Sequence, residues 1–192
     1  MNLQRKVYIL YNRFKFRLKG IQFGTGMRVC NHLYLSLNGD NTVIIGNNFA
    51  FSSGSGFNPL ARNIKGAIEM RKGARLSIGD NVGISSSCLW IYDNLTIESN
   101  TKIGADCIIL DSDTHSLEYN LRININTDRS NAKKAGIYIG EGVLIGTRCI
   151  VLKGVSIGNH TIIGSGSVVT KSIPANCIAA GNPCKVIKFL NE

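Results

Sequence analysis

The chain has 192 residues, 44% of them apolar and 7% aromatic, with 21 glycines and only three prolines. That is enough for one domain with a substantial core, and the mix suits many short strands and turns better than a helical bundle. The net charge of +10 favours anionic partners, but no basic run is interleaved with base-stacking aromatics, so nucleic acid is not an expected partner.

In chain order, the first predicted element is an amphipathic helix over residues 2–19. Leu3, Val7, Leu10, Phe14 and Leu18 recur at helical spacing on one face, and the remainder is basic. Arg13, Lys15 and Arg17 interrupt the apolar part, so the segment does not read as a signal peptide. Such a helix is expected to pack on its own domain or on a sister subunit, with weak association to a membrane surface as the alternative. Residues 1–40 are taken as this helix and a lead-in.

From residue 41 a six-residue rhythm sets in. IGNNFA starts at Ile45, IGDNVG at Ile78 and ISSSCL at Ile84. Trp90 then stands as one extra residue before IYDNLT, IESNTK and IGADCI. The rhythm is clearest from Ile139: IGEGVL, IGTRCI, VLKGVS, IGNHTI, IGSGSV, VTKSIP. Ile139, Ile145, Val151, Ile157, Ile163 and Val169 mark the aliphatic position. Val143, Cys149, Val155, Thr161, Ser167 and Ile173 mark a small or β-branched position four residues later. A period of six fits neither a helix nor simple alternation. It fits a chain that makes a short strand, turns a corner and repeats, burying its apolar face only against the neighbouring coil. Glycine is expected to relieve strain near the corners. Cys88, Cys107 and Cys149 fall on the small position and read as packing residues. No CxxC pair occurs among the six cysteines, and a chain this long needs no disulfide staples, so a reduced, cytoplasmic protein is expected.

The rhythm fails at IILDSDTHSL. Asp113 stands where a small inward residue belongs and His115 where the next aliphatic belongs. A regular pattern that breaks at titratable residues marks a candidate functional site. A neutral imidazole can take a proton from a hydroxyl. A neighbouring carboxylate can hold its tautomer and stabilise the imidazolium. Asp111 and Asp113 are in phase with His115 in an extended segment. Residues 116–136 leave the repeat altogether, and an excursion of that length beside His115 is expected to cover an active site. His160 falls on a repeat turn and reads as exposed and inert; His32 precedes the repeats without an obvious partner.

The stretch IGEGVLIGTRCIVLKGVSIGNHTIIGSGSVVTKSIPANCIAAGNPCKVI resembles the hexapeptide-repeat acyltransferases, among them the galactoside, maltose and polysaccharide O-acetyltransferases. The resemblance covers about residues 41–188. It implies an all-β fold, a left-handed parallel β-helix with a short N-terminal helix, and sets the β-helix domain at 41–183 with a tail at 184–192. It also implies a homotrimer with active sites between subunits, acetyl-CoA as co-substrate with no metal required, and direct acetyl transfer to a sugar or polysaccharide-precursor hydroxyl. His115 would be the general base and Asp113 the carboxylate that orients it. Asp111 is the alternative, or else binds acceptor hydroxyls with Trp90 and Arg122. Gly146, Thr147, Ser165 and Gly166 match the stretch that touches the pantetheine arm. Lys171, Pro183 and Lys185 match the region near the nucleotide end, where lysine suits phosphate. Leu144 stands where many relatives carry Trp. Three readings compete. A zinc enzyme on the same fold would need three converging histidines, whereas His32, His115 and His160 are scattered. An amino-sugar N-acetyltransferase would keep fold and cofactor, and a non-catalytic scaffold would keep only the fold.

Overall fold

From Gln22 onward the chain makes a short strand, a corner and another short strand, three times per coil, and each strand lies on the strand one coil earlier (computed structural model; residues 3–54, 56, 58–61 and 64–190 described). The first face stacks Gln22–Phe23, Thr42–Ile45, Arg75–Ile78, Asn94–Ile97, Ile137–Ile139 and Ser156–Ile157. The second stacks Arg28–Cys30, Ala50–Ser52, Gly83–Ser85, Lys102–Ile103, Leu144–Ile145, Ile162–Ile163 and Cys177–Ala180. The third stacks Tyr34–Leu37, Ala67–Met70, Cys88–Ile91, Ile108–Leu110, Ile150–Leu152 and Val168–Val169. Every pairing along these three stacks is parallel.

Register puts like on like. Ile97 lies over Ile139, Ile103 over Ile145 and Ile109 over Val151. All six aliphatic residues and all six small residues of the clear repeat are buried, so the core is the axis of a three-sided prism. Burying one such aliphatic side chain contributes about 1.5–3 kcal/mol, but only once the next coil covers it. Cys107 and Cys149 are among the buried residues, donating to the carbonyls of Gly146 and Gly164 at 3.0 and 3.2 Å.

Most corners are closed by one residue in the left-handed region. At the corner between first and second faces these are Asn48, Asn81 and Asn100, and their amides form a ladder, Asn48 to Asn81 at 3.0 Å and Asn81 to Asn100 at 3.1 Å. Asparagine tolerates this conformation where a branched side chain would not. The glycine after each aliphatic residue has a different reason from the strain relief the repeat suggests. A Cβ on Gly104 would stand 2.7 Å from both the carbonyl carbon of Gly146 and the amide of Thr147. The coils approach too closely there for any side chain.

Three boundaries differ from the sequence reading. The β-helix begins at Gln22, because the lead-in already forms one full coil. The tail adds the strand Lys185–Phe189, antiparallel to Cys177–Ala180. The extra residue is not at Trp90. Leu89 pairs with Ile109, so the step from Ile84 to Leu89 is one residue shorter than the repeat and the step from Leu89 to Ile97 two residues longer. Ser87, not Cys88, therefore fills the small inward position, and Cys88 is only half-buried.

The N-terminal helix forms over Leu3–Leu18, but it docks by its other face. Ile9, Asn12 and Phe16 are buried, while Leu3, Val7, Leu10, Phe14 and Leu18 are exposed. The buried Asn12 amide explains the choice. It donates to the carbonyls of Val29 at 2.9 Å and Asn31 at 3.0 Å, and satisfies the edge of the first coil. His32 is partnered after all, through Tyr8 at 3.4 Å and an edge-on contact with the Tyr8 ring.

Candidate active site

After Ile108–Leu110 on the third face the chain leaves the prism and rejoins it at Ile137–Ile139 on the first. The neck of this excursion is a short antiparallel pairing. Asp113 N–H donates to Lys133 O at 2.9 Å, Ala135 N–H to Asp111 O at 3.0 Å, and Ser112 bridges Lys134. Inside the excursion lie one helical turn, Tyr119–Arg122, and a 3₁₀ turn, Arg129–Asn131.

His115 sits at the start of the excursion with 55% of its side chain exposed. Its Nδ1 lies 2.6 Å from Oδ2 of Asp128. The other oxygen, Oδ1, accepts the Ser116 N–H at 2.9 Å. The imidazole and the amide together hold the Asp128 carboxyl below the usual carboxylate range. With Nδ1 occupied, Nε2 has no hydrogen-bond partner among the described residues and is the nitrogen left to exchange a proton.

The two aspartates expected beside His115 do other work. Asp113 binds Lys153 Nζ at 2.5 Å through Oδ1, and its Oδ2 is buried without a hydrogen-bond partner. It anchors the neck of the excursion to the next coil, because the backbone turns through Thr114, with φ of +62°, between Asp113 and His115. That left-handed residue defeats the expectation that alternate residues share a side. Asp111 is buried, and its carboxylate accepts the amides of Tyr92 at 2.6 Å, Asp93 at 2.8 Å and Asn94 at 2.9 Å. Burial pushes its pKa up against the pull of those three bonds. An Asp111 clamped this way closes a long corner and is not placed to bind an acceptor.

Arg122, expected to meet the acceptor, folds back and donates to the carbonyls of Ser116 and Leu117 at 2.9 and 3.0 Å, holding the excursion's first turn. Trp90 is half-buried beside Tyr92, with Arg71 stacked 5.6 Å from one ring and 5.4 Å from the other; its Nε1 is buried without a partner. Asp128 and Lys153 were missed. Asp128 has no periodicity to betray it, only the fact that it and Glu118 are the two acids of the excursion.

The residues matched to the cofactor mostly fall on one corner, between second and third faces. Gly146 and Thr147 occupy it on one coil and Ser165 and Gly166 on the next, and Pro183 follows on the last. Gly146 approaches so closely that a Cβ would meet the Ser165 amide at 2.6 Å. The Gly166 amide donates to Thr147 O at 2.9 Å, and Val168 N–H reaches Gly181 O at 2.9 Å. Ser165, Gly166, Pro183 and Lys185 are exposed along this ridge. Lys171 is exposed as well, but it follows Val168–Val169 and so lies at a different corner. His160 is exposed on a turn at φ of +58°, bonded to Asn176 at 3.2 Å. Among the described residues no group of three or more His, Cys, Asp or Glu could hold a metal ion.

Six-residue turns thus stack into a three-sided prism, and one long excursion carries the paired His115 and Asp128. Residues 136–171 match the model of the bacterial transferase hexapeptide (six repeats). The galactoside O-acetyltransferase of Escherichia coli (strain K12) is 35% identical over 121 residues, covering 62% of this chain and 57% of that protein. The chain thus spans a little over half the length of that curated relative. Two solved structures share the fold. One is an N-acyltransferase, AntD from Bacillus cereus, in complex with dTDP-4-amino-4,6-dideoxyglucose and coenzyme A (TM-score 0.69, 17% identity, 94% of this chain and 90% of that one). The other is a hexapeptide-repeat acetyltransferase of Vibrio cholerae complexed with acetyl coenzyme A (TM-score 0.60, 18% identity, 95% of this chain and 79% of that one). The fold is therefore the left-handed parallel β-helix with a short N-terminal helix that the resemblance implies.

Proposed function

We propose that this protein is an acetyl-CoA-dependent acetyltransferase that O-acetylates a hydroxyl of a sugar or polysaccharide precursor, with His115 as general base. The observation that carries the reading is the His115–Asp128 pair at 2.6 Å, set on the excursion of a hexapeptide-repeat β-helix. Asp128 holds the proton of His115 on Nδ1. Nε2 then removes the acceptor hydroxyl proton as the oxygen attacks the thioester carbonyl. The thiolate of CoA leaves, and no acetyl-enzyme forms. The ionised Asp128 stabilises the imidazolium that results.

Acetyl-CoA would lie along the ridge of Gly146, Thr147, Ser165 and Gly166, with its pantetheine arm across the corners of two successive coils. Lys185 and Pro183 would meet its nucleotide end, with Lys171 supplied from another corner. A homotrimer with sites between subunits fits the exposed ring of His115 and the apolar side chains that the excursion presents outward, Leu117, Tyr119, Ile123 and Ile125. We place the enzyme in the cytoplasm, in polysaccharide assembly; no helix among the described residues is long and apolar enough to cross a membrane.

The deciding experiment is release of free thiol from acetyl-CoA across a panel of sugar hydroxyl acceptors. His115→Ala is expected to lower turnover about 10²–10⁴-fold without unfolding the chain, and near-full activity in that variant would refute the assignment. A second reading, transfer to an amino sugar, is supported by the fold shared with the N-acyltransferase from Bacillus cereus. The same panel with amino-sugar acceptors separates the two.

A further inference from the structure

The exposed stripe of the N-terminal helix is unexplained by the reaction. Leu3, Val7, Leu10, Phe14 and Leu18 are between 57% and 76% exposed, and Tyr11 on the same side is half exposed. The helix does not need this face for folding, since Ile9, Asn12 and Phe16 hold it to the first coil from the opposite side.

The charged side chains around the stripe are all of one sign. At 3.6 residues per turn, Lys6, Arg13 and Arg17 border it on one flank and Lys15 on the other, with Lys19 just past the last turn. Arg13 and Lys15 point partly inward to the carbonyls of Met27 and Leu33, at 2.9 Å each, while Lys6, Arg17 and Lys19 are exposed. No carboxylate occurs before Asp40. Sixteen residues make a rod about 24 Å long, shorter than the roughly 30 Å of a bilayer's hydrocarbon core. A helix of this kind lies in the interface, with its apolar face among the acyl chains and its cations at the headgroups.

We propose that this helix docks the protein on an anionic lipid surface. A second copy of the chain is the rival occupant of the stripe, and charge argues against it. Two such helices face to face would set cationic flanks against each other with no acid to answer them. Anionic headgroups answer them on both sides. The proposal rests on the helix alone and is independent of the proposed chemistry.

The test is flotation of the full chain with vesicles of phosphatidylcholine alone and with about one third phosphatidylglycerol, at low and high salt. Binding is expected on the anionic vesicles only, weakened about tenfold by raised salt. Leu10→Glu/Phe14→Glu is expected to reduce it at least about tenfold, with an unchanged circular-dichroism melt because both side chains face solvent. Lys6→Glu/Lys19→Glu is expected to weaken it and flatten its salt dependence. Equal binding to neutral and anionic vesicles, or no binding to either, overturns the proposal. So does a Leu10→Glu/Phe14→Glu variant that floats like the parent but sediments as a smaller assembly, since the stripe would then join copies of this chain.

Discussion

His115 Nδ1 and Asp128 Oδ2 meet at 2.6 Å across thirteen residues of irregular chain, whereas Asp113, two residues away, turns to Lys153. The tautomer of the imidazole is thus set from inside the excursion and not from the repeat. Replacing Asp128 by Asn removes the charge that would stabilise an imidazolium and frees the wrong nitrogen. Turnover is expected to fall about 10²–10⁴-fold, with KM for acetyl-CoA little changed. Asp113→Asn should fall far less in kcat. Steady-state thiol release on both variants checks this, and the reverse ranking would return the orienting role to Asp113.

Asp113 and Lys153 are coupled through stability. Their side chains are 16% and 29% exposed, so solvent screens the pair in part. Removing either partner alone leaves a mostly buried charge uncompensated, at an expected cost of about 1–3 kcal/mol. The double variant Asp113→Asn/Lys153→Met should cost less than the sum of the singles. A double-mutant cycle by urea denaturation reads the coupling directly; strict additivity would mean that the contact contributes nothing.

The excursion should carry an acid-sensitive latch. The Asp128 pKa is lower in the folded chain than in the unfolded one, where it lies near 3.9. Its stabilising bonds are therefore complete above that value and are lost as pH falls through the folded value. Limited proteolysis of residues 116–136 should stay slow down to about pH 4 and accelerate below it. Asp128→Asn should be cleaved faster at neutral pH and show no such step.

Gly104 tests the packing of the coils. An added Cβ would sit 2.7 Å from backbone atoms of Gly146 and Thr147, which cannot rotate away. Gly104→Ala is expected to cost about 1–3 kcal/mol or more through overpacking. Gly20→Ala is the control, because it meets nothing within 4 Å and carries only the strain of φ at +69°. Thermal melts of the two variants should rank Gly104→Ala well below Gly20→Ala.

Most of the prism was legible in the sequence. The aliphatic and small positions from Ile139 to Ile173 all point inward as their period requires, because each coil repeats the same environment six residues on. The reading slipped where the coil length changes. Around Leu89 a missing residue at one corner is offset by two at the next, so counting alone put Cys88 inside in place of Ser87. It slipped again at the helix. Periodicity identified the apolar stripe but not which face docks, and the docking face was chosen by a buried asparagine that meets the open carbonyls of the first coil.

The candidate site divides along the same line. That His115 interrupts the rhythm is a local fact, readable from neighbours in the chain, as is the periodic burial of the coils. Which carboxylate braces it depends on the path of an aperiodic excursion, fixed by the left-handed turn at Thr114, the neck pairing and the contacts of Ser116 and Arg122. A repeat carries its own geometry because every unit solves the same packing problem. An excursion solves its problem once, through contacts between residues distant in the chain, and these exist only after the coils have stacked.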